Sequence, residues 1–249
     1  MGTPLIEIKN LSAGYDSRTV LRNINLTVYD RDFLGIIGPN GAGKTTTLRM
    51  LATLIRPDSG DAVLSGSSVV TQPEEVRRKI GFLTSELKLE DFFTPDYLYD
   101  FFSELYGIPT DRRDARKRML FARFGIQEFA QVRVRDLSTG MKQKVSLVIS
   151  LVQDPEIIIF DEPTNGLDIL TAKVVTDFLL DLKEQGKTII ISTHIFSLVE
   201  KICDRVGIII NGRMAACEDL RTLCGDKSLE DRFFEIYEAV NGEDENHDK

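Results

Sequence analysis

The chain has 249 residues, enough for one or two domains, and 42% of them are hydrophobic, so it can bury a substantial core. Its 39 acidic and 31 basic residues give a formal net charge of −8, which excludes the basic footprint of a non-specific nucleic-acid binder. The most apolar stretches, such as 147–152, which contains one serine, are far shorter than the roughly 18 residues that cross a bilayer. No membrane-spanning segment is therefore predicted.

The cysteines predict no special chemistry. Cys203, Cys217 and Cys224 form neither a CxxC pair nor an even set, and the amino terminus lacks the basic and apolar regions of a signal peptide. A reducing, cytoplasmic location fits this pattern.

Short apolar strands alternate with helical patterns along most of the chain, which predicts an α/β fold with a mainly parallel sheet. The first part alternates apolar and polar residues over 5–11 and 24–29, with a turn at Asp16-Ser17, and so predicts an antiparallel β lobe. No strand is predicted between 94 and 153, where helical spacing indicates an inserted α-helical subdomain. The other predicted strands are 33–37, 62–64, 80–83, 157–160, 188–192 and 206–210.

A glycine-rich segment follows the predicted strand 33–37 and precedes a predicted helix. Residues 38–45 match G-x-x-x-x-G-K-[ST], in the strand–loop–helix setting that a phosphate-binding loop requires. Glycines let successive backbone N–H groups surround a phosphate, and the helix amino terminus adds partial positive charge. Lys44 is expected to reach the β- and γ-phosphates and Thr45 to bind Mg²⁺. The predicted nucleotide-binding residues are Gly38, Pro39, Asn40, Gly41, Ala42, Gly43, Lys44, Thr45 and Thr46.

Two adjacent carboxylates follow another apolar strand, 157–160. Asp161 is expected to hold Mg²⁺ through water, and Glu162 to act as general base for the water that attacks the γ-phosphate. Two acids that merely begin a solvated loop would give the same pattern. The accompanying phosphate loop favours the catalytic interpretation.

With these motifs in this order, the sequence resembles the ATP-binding subunits of ABC transporters, which are P-loop NTPases, over about residues 5–216. Residues 161–168, Asp-Glu-Pro-Thr-Asn-Gly-Leu-Asp, match the family's Walker B and D-loop run, and Ser-Thr-His at 192–194 matches its switch histidine. The resemblance implies that His194 contacts the γ-phosphate as a catalytic residue beside Glu162 and Lys44.

The same resemblance implies further contacts with the nucleotide. Tyr15 would stack on adenine, and Asp168 of the D-loop would lie at the nucleotide site. ATP and Mg²⁺ are the implied cofactors, and hydrolysis of ATP to ADP and phosphate is the implied reaction. The implied partner is a separate transmembrane permease subunit, which places this chain peripherally on the inner face of the cell membrane.

Residues 137–141, Leu-Ser-Thr-Gly-Met, stand where the family has its LSGGQ signature. The resemblance implies that Ser138 and Gly140 contact a nucleotide held by a second ATP-binding subunit, so that two chains enclose two ATP molecules. An ATP-dependent homodimer is expected, and a pair with a related chain stays open as the alternative. Thr139 replaces a glycine, which limits close backbone approach, and Met141 replaces a glutamine, which removes a polar ribose contact. The expected half-site is therefore a modified one.

A larger departure follows the predicted strand 80–83. The family usually has a glutamine that contacts Mg²⁺ and the attacking water, whereas this chain has Thr84-Ser85-Glu86. Ser85 aligns with that glutamine and is the predicted metal ligand, with Glu86 as the alternative. This loop, the altered signature and a predicted helix around 228–233 resemble the sodium- and drug-exporting subclass, which implies export.

The predicted organisation has four parts. Residues 1–93 and 154–225 form the ATPase core with its β lobe, 94–153 the helical subdomain, 226–240 a carboxy-terminal helix and 241–249 a disordered acidic tail. Seven of the fourteen phenylalanines lie in or beside the helical subdomain, and most are expected to form its core. Phe92 or Phe93 is expected to line a groove for a cytoplasmic helix of the permease.

Two other functions remain open from the sequence. One is a soluble ATPase of the same superfamily in translation or DNA repair, although such relatives usually have tandem ATPase halves or coiled-coil insertions. The other is a nucleotide-binding regulatory module without turnover, against which Lys44, Glu162 and His194 argue. A guanine-specific switch protein is disfavoured because no Asn-Lys-x-Asp motif occurs.

Overall fold

The computed structural model describes residues 3–15, 18–84 and 89–247. The predicted turn at Asp16-Ser17 and the predicted metal ligand Ser85 lie outside these residues. No helix within the described ranges is long and apolar enough to cross a bilayer.

Ten strands and nine α-helices build the described part of the chain. The strands β1 to β10 are Pro4–Tyr15, Arg18–Tyr29, Phe33–Ile37, Ser59–Leu64, Ser67–Ser68, Ile80–Leu83, Ile157–Asp161, Thr188–Ser192, Arg205–Ile210 and Arg213–Asp219. The helices α1 to α9 are Lys44–Leu51, Pro73–Lys79, Pro95–Leu105, Thr110–Phe124, Thr139–Ser150, Ile169–Glu184, Phe196–Ile202, Leu220–Cys224 and Leu229–His247. Two 3-10 turns, Ile126–Phe129 and Val134–Asp136, lie between α4 and α5.

A six-stranded sheet in the order β10-β9-β3-β8-β7-β6 confirms the predicted α/β class. Its five strands from β9 to β6 are parallel, and β10 pairs antiparallel with β9. The strands β3, β7 and β8 are buried at every position, as strands covered by helices on both faces are. The register places Asp161 opposite Ser192 and Ser192 opposite Ile36, so the loops after these strands leave one edge of the sheet together.

The predicted antiparallel lobe is a four-stranded sheet in the order β2-β1-β4-β5. Its first two strands extend beyond the predicted 5–11 and 24–29. Their pairing contains several irregularities, which interrupt the alternation on which those bounds were based. Asn10 and Asn23 adopt φ values of 50° and 53° at these points, and the backbone N–H of Asn23 donates to Ser12 Oγ at 3.0 Å. Such bulges break the period-two alternation, so the sequence pattern ends before the strand does.

Helices α3 to α5 and the two 3-10 turns fill the region in which no strand was predicted, and the described residues there contain none. Phe121, Phe124 and Phe129 are buried, and the Phe124 ring packs edge-on against Phe178 of α6 with centroids 4.8 Å apart. Lys117 forms ion pairs with Asp96 and with Asp100, which fasten α4 to α3. Phe102 is half-buried, whereas Phe92, Phe93 and Phe101 are exposed, so three of the seven phenylalanines in or beside this region lie outside its core.

The disordered tail predicted for 241–249 is wrong for residues 241–247, which continue helix α9. Phe233 of α9 is buried and packs against Phe196 of α7, so this packing holds the first turns of the helix in place. Adding turns to a formed helix is far less costly than nucleating one, and glutamate is a good helix former. The side chain of Asn211 also donates to Asn241 Oδ1 at 3.1 Å, which ties this part of the helix to the β9–β10 turn.

Candidate functional site

The glycine-rich loop 38–43 joins β3 to α1, where packing and backbone geometry both require glycine. A Cβ on Gly38 would overlap the carbonyl oxygen of Ile209, and a Cβ on Gly43 would overlap the side chain of Leu21. Gly41 meets no such obstacle, but its φ of 77° lies in the left-handed region. The loop is thus held close to β9 and β2 while its backbone turns into the helix.

The other loop residues are fixed mainly through their backbone. Ala42 is buried, its N–H donates to Pro39 O at 3.2 Å, and its carbonyl accepts from Gly212 N at 3.1 Å. Asn40 is exposed at the tip, and Thr46 is buried in the first turn of α1. The nine predicted loop residues therefore form one continuous cradle.

Lys44 lies over this cradle with only 7% of its surface exposed. Its Nζ donates to Gly38 O at 2.7 Å and to Pro39 O at 3.2 Å, so loop carbonyls hold the ammonium. Burial lowers the pKa of Lys44, while the negative charges of Glu162 and Asp161 oppose that shift. The lysine is therefore placed between the loop and the two carboxylates.

A cluster of oxygen atoms lies where α1, β7 and β8 meet. Thr45 Oγ1 donates to Asp161 Oδ1 at 3.2 Å, and Ser192 Oγ forms a short hydrogen bond to the same carboxylate oxygen. Asp161 is 1% exposed, and its neighbours in this cluster are hydroxyl groups. A carboxylate with hydroxyls matches the hard oxygen ligands that Mg²⁺ prefers, and two protein ligands suffice where phosphates and water supply the rest. The donor set therefore fits the predicted ion.

Glu162 directly follows β7 in a strained backbone conformation. Its φ is 52°, which for a residue with a side chain costs about 1–2 kcal/mol. Its N–H donates to the carbonyl and hydroxyl oxygens of Ser192 at 3.0 and 3.2 Å, and these bonds hold the turn. Strain that the surrounding structure maintains is frequent at functional sites, because it directs a side chain that a relaxed backbone would point elsewhere.

His194 comes two residues after β8 and meets this carboxylate. Its Nδ1 lies 3.1 and 3.0 Å from the two Glu162 carboxylate oxygens, Oε1 and Oε2. The imidazole is 56% exposed and the Glu162 side chain 16% exposed, so the pair lies at the surface beside the loop. Glu162 and His194, which the sequence analysis expects to act on the same phosphate, therefore lie within hydrogen-bonding distance of each other.

Ser192 was not predicted as a site residue, although it contacts Asp161 and holds Glu162. The available signal was its position, since it is the polar end of an otherwise apolar strand, 188–192, that neighbours the strand carrying the carboxylates. A hydroxyl at a buried strand end needs a partner, and the adjacent Asp161 supplies one.

The signature and D-loop residues form a second cluster. Ser138 Oγ accepts from Met141 N at 3.3 Å and caps α5, and Asp168 caps α6 by accepting from Leu170 N at 3.0 Å and from Thr171 Oγ1 at 2.7 Å. Hydrogen bonds, above all from the Thr171 hydroxyl, lower the pKa of Asp168. A Cβ on Gly140 would lie 3.9 Å from both Asp168 Oδ2 and Thr171 Oγ1, so the two helix beginnings are neighbours.

Tyr15 ends strand β1 next to its pairing partner Arg18. The Tyr15 side chain is 43% exposed, so part of its ring is available for stacking. The structure thus places it at the tip of the antiparallel sheet.

A cavity of about 550 Å³ lies between edge strand β6 and the helical region. One wall is a row of rings in which Phe93 stacks on Tyr97 at 4.6 Å and Tyr97 on Phe101 at 6.3 Å between centroids. Arg77 and Glu90 are its charged lining residues. The cavity is therefore mainly apolar with two charged side chains, and no residue of the phosphate loop lines it.

Comparison of the sequence with known proteins identifies a family and several relatives. The family model described as ABC transporter matches residues 21–165. The ABC transporter ATP-binding protein NatA of Bacillus subtilis (strain 168) is 40% identical over 212 residues, which cover 85% of this chain and 86% of that protein. Nod factor export ATP-binding protein I of Ralstonia nicotianae (strain ATCC BAA-1114 / GMI1000) is 35% identical over 220 residues, covering 86% and 67%.

Solved structures are similar over almost the whole chain. An ATP-binding subunit of an ABC transporter has a TM-score of 0.87 and 30% identity, with 93% of this chain and 99% of that chain covered. A dimeric post-hydrolysis structure of the ATP-binding cassette MJ0796, bound to ADP and Pi, has a TM-score of 0.79 and 26% identity, with 87% and 99% covered.

Proposed function

Because this chain belongs to the ABC transporter family as an ATP-binding, ATP-hydrolysing subunit, we propose that its turnover closes and reopens a pair of these subunits and thereby drives export through a separate permease. One observation carries the proposal. Five polar side chains lie together at the carboxyl ends of adjacent parallel strands: Lys44, Thr45, Asp161, Glu162 and His194.

Each of these residues has a role in hydrolysis. Lys44 binds the β- and γ-phosphates, and its buried ammonium neutralises charge that develops as the terminal bond breaks. Glu162 accepts a proton from the attacking water, and His194 hydrogen-bonds the γ-phosphate and positions it. Tyr15 stacks on the adenine.

Thr45 and Asp161 would hold Mg²⁺, with Ser192 fixing the orientation of the carboxylate. When bound, the ion neutralises phosphate oxygens and orients them. Ser85, with Glu86 as the alternative, is proposed as a further ligand from its place in the sequence alone.

The second cluster faces another subunit. Ser138 and Gly140 at the start of α5 present N–H groups and a helix dipole, which favour a phosphate held by the partner. Asp168 lies beside them at the start of α6. The solved structure of MJ0796, which is dimeric and bound to ADP and Pi, supports pairing of such subunits. In the proposed pair, two copies of this chain enclose two ATP molecules.

If two chains enclose two ATP molecules, the mass of the protein in solution should depend on ATP. Glu162→Gln removes the base while leaving the phosphate loop intact, so Mg-ATP should double the mass of this variant in light scattering. Glu184→Gln is the matched control, because it removes the same charge from an exposed position in α6 and should trap no pair. Retention of the monomer mass by Glu162→Gln with ATP bound would contradict self-pairing.

The cavity beside β6 is the docking site for a cytoplasmic helix of the permease. The helical region 94–153 moves together with that docked helix. An amphipathic helix in an aromatic groove buries much apolar area, and aromatic residues often dominate such contacts. Through this proposed contact the chain would lie on the inner face of the membrane. The export-type relatives support the outward direction of transport.

We expect joint replacement of Phe92 and Phe93 by alanine to release the chain from the membrane fraction of cells that carry its permease, without loss of ATP turnover in the released protein. Both rings are exposed, at 70% and 38%, so their removal should cost little folding stability. Met119→Ala with Phe234→Ala is the control, because these exposed side chains lie on α4 and α9 and do not line the cavity. Unchanged membrane recovery and transport by the Phe92 and Phe93 variant would exclude this docking site.

A further inference from the structure

The turn between β9 and β10 lies against the phosphate loop. The N–H of Gly212 in this turn donates to the carbonyl of Ala42 at 3.1 Å, and the carbonyl of Gly212 accepts from Arg22 N of β2 at 2.7 Å. A Cβ on Gly212 would overlap the carbonyl oxygen of Val20, so only glycine fits between the loop and β2 without displacing one of them. One residue of the turn thus connects the loop to the antiparallel lobe.

The hydrogen bond from Gly212 fixes the orientation of one peptide group in the loop. The carbonyl of Ala42 and the N–H of Gly43 belong to the same planar trans peptide, so they point in opposite directions. A donor that holds this carbonyl therefore also directs the N–H of Gly43 to the opposite side of the loop. Backbone N–H groups at the start of a helix are the donors that bind phosphate, so a rotated peptide would remove one of them.

The turn is itself held by the carboxy-terminal helix. Asn211 and Gly212 have φ values of 50° and 77°, the left-handed pair of a type I′ hairpin turn. The side chain of Asn211 donates from Nδ2 to Asn241 Oδ1 of α9 at 3.1 Å. This bond joins the turn to α9 at the residue that directly precedes Gly212.

Helix α9 is in turn attached to α7. The Phe233 ring packs on Phe196 with centroids 5.2 Å apart, and Leu229 N donates to Glu200 Oε1 at 2.8 Å. Asn241 lies about 12 Å further along α9 than Phe233, at about 1.5 Å per residue. The helix therefore fixes the turn relative to α7 and the core beneath it.

We propose that the β9–β10 turn positions the phosphate loop for ATP, and that Asn241 of α9 holds the turn in this position. The inference rests on the proposed role of residues 38–46 as the phosphate cradle. Glu162 and His194 follow β7 and β8, which are other strands of the sheet. Loss of the support from α9 should therefore weaken ATP binding more than it slows the chemical step.

The first test is Asn241→Ala in the full chain. Alanine is the best helix former, so α9 should stay formed while the acceptor for Asn211 is lost. The KM for ATP and the equilibrium Kd should both rise about two- to tenfold, the range for one hydrogen bond, while kcat at saturating Mg-ATP stays within about twofold of the parent. Asn241→Asp keeps the acceptor and should restore the parent KM. Glu238→Ala, at an exposed position of the same helix, is the control and should change neither constant.

The second test displaces the turn itself. The added Cβ of Gly212→Ala has to move the turn away from Val20, so the KM for ATP should rise about tenfold or more. Gly66→Ala is the matched control, because Gly66 lies between β4 and β5 with a φ of 80° and no described atom lies within 4 Å of the added Cβ. Both variants place alanine in a left-handed conformation, so a difference between them reports the displacement and not the strain.

The ratio of the two kinetic constants separates positioning from stability. A variant that merely unfolds in part would lower the apparent kcat and leave the KM for ATP unchanged, and that result with Asn241→Ala overturns the inference. A parent KM in Asn241→Ala, or in Gly212→Ala that melts as one folded species, overturns it as well. If Gly212→Ala does not fold, the result with Asn241→Ala decides. A parent chain that binds no ATP overturns the assignment of the phosphate loop and this inference with it.

Discussion

Glu162→Gln should lower steady-state ATP turnover by about 10²- to 10⁴-fold, the usual contribution of a positioned general base. The carboxylate lies 3.0 and 3.1 Å from His194 Nδ1, and the backbone that carries it is held in a left-handed conformation by two bonds to Ser192. Glutamine has nearly the same shape but accepts no proton from water. Phosphate release under saturating Mg-ATP measures the effect.

Binding and hydrolysis should separate in this variant. The phosphate loop and Lys44 are unchanged, so ATP affinity in an equilibrium titration should remain within a few-fold of the parent. Glu184→Gln, on the exposed surface of α6, should retain full turnover. A Glu162→Gln protein that hydrolyses ATP at the parent rate would require another base.

The five parallel strands of the central sheet were predictable because they consist mostly of apolar residues, whereas β10 has no buried residue and was not predicted. Phe33–Ile37, Ile80–Leu83 and Thr188–Ser192 have the predicted bounds, since burial on both faces requires apolar residues throughout. The antiparallel lobe was predicted in type but not in length, because bulges at Asn10 and Asn23 reset the alternation. Alternation of apolar and polar residues indicates a strand only where the strand pairs regularly with its neighbour.

The acidic tail shows the opposite limitation. Composition alone predicts that 241–249 cannot bury a core of its own. Residues 241–247 nevertheless continue α9, because the preceding turns are already fixed by packing such as that of Phe233 on Phe196. Local composition does not contain this tertiary contribution.

At the candidate site, residue types and spacing identified the groups that approach one another in the structure. Lys44, Asp161 and Glu162 each follow a buried strand or loop whose pattern is visible in the sequence. The position of Ser192 against Asp161 depends instead on the order of strands in the sheet, which brings β8 beside β7. The exposure of Ile169 and Leu170 likewise depends on how α6 begins, since their apolar character alone predicts burial.

Lys44→Ala should reduce ATP affinity by about tenfold or more and turnover by about 10²- to 10³-fold, the range found when a charge-stabilising group is removed from an active site. The lysine is 7% exposed and held by the carbonyls of Gly38 and Pro39, so its charge acts in a region of little solvent. Burial lowers its pKa, but the two nearby carboxylates favour the charged form that phosphates require. Equilibrium titration with ATP and a phosphate-release assay measure the two effects.

Lys201→Ala is the matched control, because it removes an exposed lysine from α7 and should change neither quantity. The melting temperature of Lys44→Ala should stay close to that of the parent without nucleotide, since the two carbonyls can then bind water at the loop surface. With saturating ATP the parent should gain thermal stability and the variant less, because a ligand stabilises the folded protein in proportion to the logarithm of 1 + [L]/Kd. Equal stabilisation of both proteins by ATP would show that Lys44 is not part of the binding cradle, even if turnover were lost.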